Sequence, residues 1–152
     1  MIKRIIILML VILGVSFLQA MVPAPGKCSG DDEYALGIKN LGEYMLIKDY
    51  RISLASGSAN NPPMVSFPIS LTAGLKYKFI PINHPDNKSK LVMKIFVNQK
   101  KEMPIASSYN SSSSKHYPSV EFECKTTGTF YLFFFFADGQ KGCGVGLFTV
   151  SK

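Results

Sequence analysis

Three cysteines, two histidines and a thin scatter of carboxylates are the residues of this chain with chemistry to offer. Cys28, Cys124 and Cys143 allow one disulfide in an oxidising compartment and leave one thiol over. His84 sits in "NHPDNK" and His116 in "SKHYP", two polar turns in which an imidazole reads as a solvated loop group. Catalysis needs a nucleophile, a base and an orienting group in one place. Neither histidine belongs to an HExxH pattern, and there is no GxSxG elbow and no CxxC pair. "GQKGCGVG", residues 139–146, is rich in glycine but lacks the spacing and the following helix of a phosphate loop, so it reads as a hairpin. Glu121 and Glu123 stand two apart on one strand face, which an ordinary wet face explains. Cys143 has Lys141 nearby, but its expected role is structural. The expectation is a non-enzyme that carries no cofactor.

Geometry limits the disulfide. About nine residues of strand lie between Cys124 and the hairpin that leads to Cys143. At 3.3 Å per residue they span roughly 30 Å. If the three segments form a meander, these two cysteines sit at opposite ends, whereas a disulfide needs Cα atoms within about 7 Å. Cys28 is therefore expected to pair with one of them. A first strand antiparallel to the last favours Cys28–Cys124; Cys28–Cys143 stays open.

The chain opens with Lys3 and Arg4, a run of apolar residues from Ile5 to Leu18, and Gln19-Ala20. That is the pattern of a cleaved signal peptide over residues 1–20. No cysteine follows at the cleavage point, so a mature chain that is secreted, and not membrane-spanning, is expected from Met21. The formal charge is +7, and loss of Lys3 and Arg4 leaves +5. An exported basic chain does not ordinarily meet nucleic acid. Anionic envelope polysaccharide, lipid headgroups or an acidic protein are its expected neighbours.

Residues 21–45 read as an N-terminal segment with a short helix, in which Tyr34, Ile38 and Leu41 share a face. From Leu46 onward the hydrophobic period is two. "LIKDYRISL", "VSFPISL", "LKYKFIPI", "KLVMKIFV", "IASSY", "SVEFEC", "GTFYLFFFF" and the stretch after "ADGQKG" make about eight short strands over 46–152. Their spacing predicts an all-β, antiparallel, jelly-roll-like sandwich. Pro68 cannot donate to a ladder, which puts its strand at a sheet edge or at a bulge.

"VSFPISLTAGLKYKF", "IASSY", "FECKTTGTFYLFFFF" and "GCGVGLFTV" occur in an order that resembles the pre-peptidase C-terminal type of β-sandwich, over roughly residues 46–152. The chain also resembles a group of small secreted Gram-negative proteins that share "FxCxxxGxY" and "GCGVGxL" elements. The first resemblance implies a sandwich of the kind that accompanies secreted enzymes and binds substrates or surfaces; no enzyme is attached to it here. Some members hold calcium in carboxylate clusters. This chain offers only Asp31-Asp32-Glu33 and the separate Asp86 and Asp138, so no metal is expected.

The strand "TFYLFFFF" is apolar on both faces. Phe130, Leu132, Phe134 and Phe136 build the core; Tyr131, Phe133 and Phe135 face the other way and need a cover. The Tyr34/Ile38/Leu41 stripe, tied down by Cys28, is the expected cover. If it is not, the three rings form an exposed patch of the kind that marks a binding site. Two functions follow. One is a secreted binding module for an envelope glycan or surface protein, using Tyr131, Phe133 and Phe135 or the loop aromatics Tyr109 and Tyr117. The other is an accessory envelope subunit or inhibitor that docks a partner protein through the aromatic strand or the Ser-rich loop "SYNSSSSKHYP". Lys76, Lys78 and Lys94 read as a row on neighbouring wet faces that would meet an anionic polymer. "NKS" at Asn87 and "NSS" at Asn110 match the N-glycosylation sequon.

Overall fold

The computed structural model describes residues 28–101 and 103–152; the expected leader, residues 1–20, lies outside them. Among the described residues one helix, α1 (Asp31–Lys39), precedes ten strands. They are β1 (Tyr44–Leu54), β2 (Met64–Leu71), β3 (Lys76–Asn83), β4 (Leu91–Phe96), β5 (Ala106–Ser107), β6 (Tyr109–Asn110), β7 (Lys115–His116), β8 (Val120–Glu123), β9 (Gly128–Phe136) and β10 (Gly142–Ser151). Among the described residues no helix is long and apolar enough to cross a membrane.

The strands pair as a nested set. β1 pairs with β10, β2 with β9, β3 with β8 and β4 with β5, all antiparallel. That is one long hairpin folded on itself. Winding it up adds the contacts β10–β3 and β9–β4 and gives two four-stranded sheets, β1-β10-β3-β8 and β2-β9-β4-β5. This is the jelly-roll arrangement. The remaining pair, β6–β7, is a small hairpin inserted between β5 and β8. β2, with Pro68, lies at an edge of its sheet, where its missing donor costs nothing. The segments β8, β9 and β10 do not form a meander: β9 lies in the opposite sheet from the other two.

Alternation holds in the core. Tyr77 and Phe79 of β3, Leu91, Met93 and Ile95 of β4, and Phe130, Leu132, Phe134 and Phe136 of β9 fill the space between the sheets. Leu75 and Val97, each one residue outside its strand, are exposed. β1 alternates poorly because its register slips between Leu46 and Lys48. The bulge turns Leu46 to the outer face of its sheet while Tyr50 and Ile52 stay inside.

Bulk on one sheet is matched by absence on the other. A Cβ on Gly146 of β10 would stand 2.2 Å from the ring of Phe134, and one on Gly142 would stand 2.6 Å from Phe136. The glycine-rich "GCGVG" and the run of phenylalanines are two halves of one packing surface. A ring placed where its opposite neighbour has no side chain keeps the interior at native density.

α1 covers the outer face of the β1-β10-β3-β8 sheet. Acidic Asp31, Asp32 and Glu33 in its first turn and Lys39 in its last suit the helix dipole. Ile80, Ile82, Val145 and Leu147 form the buried patch beneath it, with Tyr34, Leu41 and Leu46 packed against them. Gly37, the residue that weakens the helix on propensity, lets it dock closely. A Cβ there would lie within 2.4 Å of side-chain carbons of both Ile82 and Leu147. The expected Tyr34/Ile38/Leu41 face is rotated accordingly: Glu33 and Gly37 are buried and Ile38 is exposed.

The disulfide joins Cys28 to Cys143, and Cys124 is a free, buried thiol. This corrects the expected Cys28–Cys124 pair. The start of β1 does lie at the Cys124 end, since Tyr44 pairs with Ser151. The helix, however, runs back along the sheet. Nine residues at 1.5 Å each carry the chain about 13 Å, and Gly30 arrives beside Val145 and Arg51 at the other end. Arg51 holds it there through the Ser29 carbonyl and a 2.7 Å ion pair to Asp31.

Candidate functional site

The second face of the phenylalanine strand is covered, but not by α1, which lies on the other sheet. β9 sits at the centre of its sheet between β2 and β4. Phe133 and Phe135 are 5% and 9% exposed, and Tyr131 is half-buried. The cover comes from two lysines and their neighbours. Lys94 of β4 places its Nζ 5.2 Å from the centroid of Phe135, and Lys101, from the β4–β5 connection, places its own 5.0 Å from Phe133. Phe96 meets Phe133 edge-on at 5.2 Å. Long lysine stems lie along the rings and keep their ammonium groups in water, and each ammonium gains the attraction of the ring face. Since both edges of β9 are paired and its outer rings are covered, the aromatic strand offers a partner neither an edge nor a bare patch.

Lys94 stands between two concavities on this outer face. One, of about 310 Å³, is floored by Phe133 and Phe135 and walled by Met64, Phe96 and Lys101. The other, of about 430 Å³, is lined by Ser107, Tyr109, Asn110 and Tyr117. Among the described residues no carboxylate lines either one. The second wall is built by the β6–β7 hairpin, in which Tyr109 pairs with His116 and their rings stand 4.5 Å apart. Buried Ser108 ties this hairpin to β4: its Oγ accepts from Met93 N at 2.8 Å, and its carbonyl accepts from Tyr117 N at 2.9 Å. The Ser-rich stretch is thus a short hairpin against the sheet, with Ser114 in the left-handed region at its tip (φ 51°). Lys115 adds a third ammonium, 5.2 Å from the ring of Tyr117.

The three lysines expected in one row lie on opposite sides of the sandwich. Lys76 and Lys78 are on the outer face of the α1 sheet, while Lys94 is on the outer face of the other. Lys78 is already engaged, 3.3 Å from Glu121 and 5.1 Å from the Tyr44 ring centroid. Glu123 pairs with Lys125 at 2.8 Å, and that hydrogen bond holds its carboxyl below the usual range. The two glutamates are therefore salt-bridged surface groups. Among the described residues no cluster of three His, Cys, Asp or Glu side chains has the spacing of a metal site.

Neither histidine is simply solvated. His84 Nδ1 accepts from Asp86 N at 3.3 Å, and its Nε2 lies 3.8 Å from the carboxylate of Glu33. Glu33 is 4% exposed, beneath α1. Its position in a run of three acids gave no sign of burial. Burial, and then the Lys90 ammonium, hold the His116 imidazole below its ordinary pKa, and its Nδ1 has no partner. The two sequons differ as well. Asn87 spends its amide on Cys143, donating to its carbonyl and accepting from its N–H. Asn110 is exposed at the hairpin.

No protein-family model matches the chain, and no curated protein matches it.

Proposed function

We propose that this chain is an exported, non-catalytic binding module for a negatively charged envelope glycan, held on the outer face of the β2-β9-β4-β5 sheet. The observation that carries the reading is Lys94. Its ammonium group lies between two concavities that contain aromatic rings, with Lys101 in one of them and, among the described residues, no carboxylate. A chain of sugars laid across both would set a carboxylate or phosphate on Lys94 and Lys101. Its apolar ring faces would rest on Tyr109, Tyr117 and the edge of Phe96. Phe133 and Phe135 act from below, as the floor that fixes the two ammonium groups. The chain has no tryptophan, so such a site relies on charge joined to tyrosine more than on stacking alone. The resemblance to surface-binding sandwich appendages points the same way.

Retention on immobilised polygalacturonate, with neutral dextran as the control matrix, tests the reading. The wild-type protein is expected to be retained and released by salt, since charge between exposed groups is screened within about 10 Å at 0.1 M. Lys94→Glu is expected to abolish retention, and Lys78→Glu, on the opposite face, to leave it in place. The reverse ranking would move the site to the α1 sheet.

A further inference from the structure

The wall of the second concavity is backed by a group that changes charge between neutral and mildly acidic pH. Tyr109, which lines that concavity beside Lys94 and Tyr117, stands against the imidazole of His116, with ring centroids 4.5 Å apart. His116 Nδ1 is buried and has no hydrogen-bond partner. In a neutral imidazole one ring nitrogen is a bare acceptor, and leaving it unpaired is a modest cost. Protonation makes both ring nitrogens donors. It would put an N–H with no acceptor, and a positive charge, where water does not reach. The charged groups around the ring give no relief. Lys90, from the β3–β4 connection, acts on it from outside the hairpin, and Lys115 precedes it in β7. Lys94 stands across the concavity. Among the described residues no carboxylate acts on it. Burial first, and Lys90 second, hold the imidazole below its ordinary pKa.

The hairpin that carries this ring is small. β6 and β7 have two residues each, and a hairpin of that size has little stability of its own in water. Its tie to the sheet is Ser108, whose N–H donates to the Met93 carbonyl at 2.9 Å and whose Oγ accepts from Met93 N at 2.8 Å. Local opening of such a segment costs far less than unfolding the domain. We propose that proton uptake by His116 releases the anionic glycan: the charged imidazole leaves its place against Tyr109, the hairpin opens, and the concavity beside Lys94 loses its tyrosine wall. The sign follows from linkage. The closed hairpin holds the neutral ring, so it is fully favoured above the value of a free histidine, about 6.5, and loses that advantage as the pH falls from there. Charge alone predicts the opposite, since every proton gained by a basic chain strengthens its hold on a polyanion. The release rests on the glycan-binding reading of this face and adds its regulation.

The test is salt elution from immobilised dextran sulfate, whose sulfate esters stay charged throughout, at pH 7.5 and at pH 5.5. The Lys94→Glu variant sets the background at each pH. The wild-type protein is expected to elute at lower salt at pH 5.5 than at pH 7.5. His116→Gln, which cannot take up the proton, should flatten that profile. Lys90→Gln, a change at an exposed position, should move the loss of retention to higher pH by removing the charge that opposes protonation. Wild-type retention no stronger than that of Lys94→Glu at pH 7.5 removes the site, and the release with it. Retention that stands above this background and is constant or stronger at pH 5.5 overturns the release alone. So does a loss at pH 5.5 that persists in His116→Gln, which would assign the pH dependence to another group.

Discussion

The two ends of the sandwich are built on different principles. At one end, three connections are locked to each other. Cys28 is joined to Cys143, Asn87 brackets Cys143 with two hydrogen bonds, and Asn83 Oδ1 accepts from Leu91 N at 2.6 Å. Gly139, at φ 72°, fits against the β1–β2 connection so closely that a Cβ would stand 2.7 Å from the Ser58 carbonyl. At the other end are the unpaired thiol, the short edge strands, the exposed aliphatic residues and an open groove between β5 and β8. Small residues serve opposite purposes at the two ends. At the closed end a missing side chain admits a neighbour; at the open end it leaves room.

The largest test of that contrast is the disulfide. Its loop spans a sequence separation of 115, and cross-links of that length contribute up to about 4–5 kcal/mol by restricting the unfolded chain. Replacing Cys28 and Cys143 by serine should lower the urea midpoint by a corresponding amount. Cys124→Ala should cost less, because it removes one buried sulfur and no cross-link. A Cys124 effect larger than the disulfide effect would break the comparison.

Next come two glycines on facing strands. Gly146→Ala forces a methyl group into the Phe134 ring, and overpacking of this kind costs about 1–3 kcal/mol. Gly128→Ala meets empty space and should range from neutral to about 1 kcal/mol stabilising, through reduced freedom of the unfolded chain. Equilibrium unfolding of the two variants, side by side, reads the difference directly. Equal losses would mean that the open end is packed like the closed one.

The smallest effect belongs to pH. His116 is held below its ordinary pKa by burial first and by Lys90 second. As pH falls, the unfolded chain takes up this proton before the folded one does. The stability of the neutral imidazole is therefore whole above the unfolded value of about 6.5, and it fades as the pH drops from there toward the lower folded value. Amide exchange in residues 109–117 should speed up at pH 5.5 relative to pH 7.5, after correction for intrinsic rates. His116→Gln should remove that change. Exchange that stays slow at acid pH in the wild type would show that the hairpin is held by Ser108 alone.

Much of the core was legible in the sequence. The inward sets Tyr77/Phe79, Leu91/Met93/Ile95 and Phe130/Leu132/Phe134/Phe136 follow from alternation, because side chains in a strand point to opposite faces by local geometry. The failures have equally specific causes. The α1 face was misplaced because its closest contact is Gly37, which hydrophobic periodicity does not register. Leu46 and Tyr50, four residues apart, would share a face by alternation, but a bulge shifts the period without leaving a mark in residue type. For the candidate site, Lys94 and the rings of β9, Tyr109 and Tyr117 were visible as residues. Lys101 and the groove beside Cys124 were not, since both depend on how the β4–β5 connection lies against the sheets.

The sequence alone determined what short-range chemistry determines: antiparallel strands, a Pro68 strand that belongs at a sheet edge or a bulge, and a phenylalanine strand that is apolar on both faces. The tertiary structure decided which elements meet. It chose Cys143 over Cys124 because α1 runs back along its sheet. It covered Phe133 and Phe135 with Lys94 and Lys101, and it set Lys76 and Lys78 on the far side from Lys94. Each of these depends on how strands distant in sequence pair and wind, and a local pattern of residue types does not encode that winding.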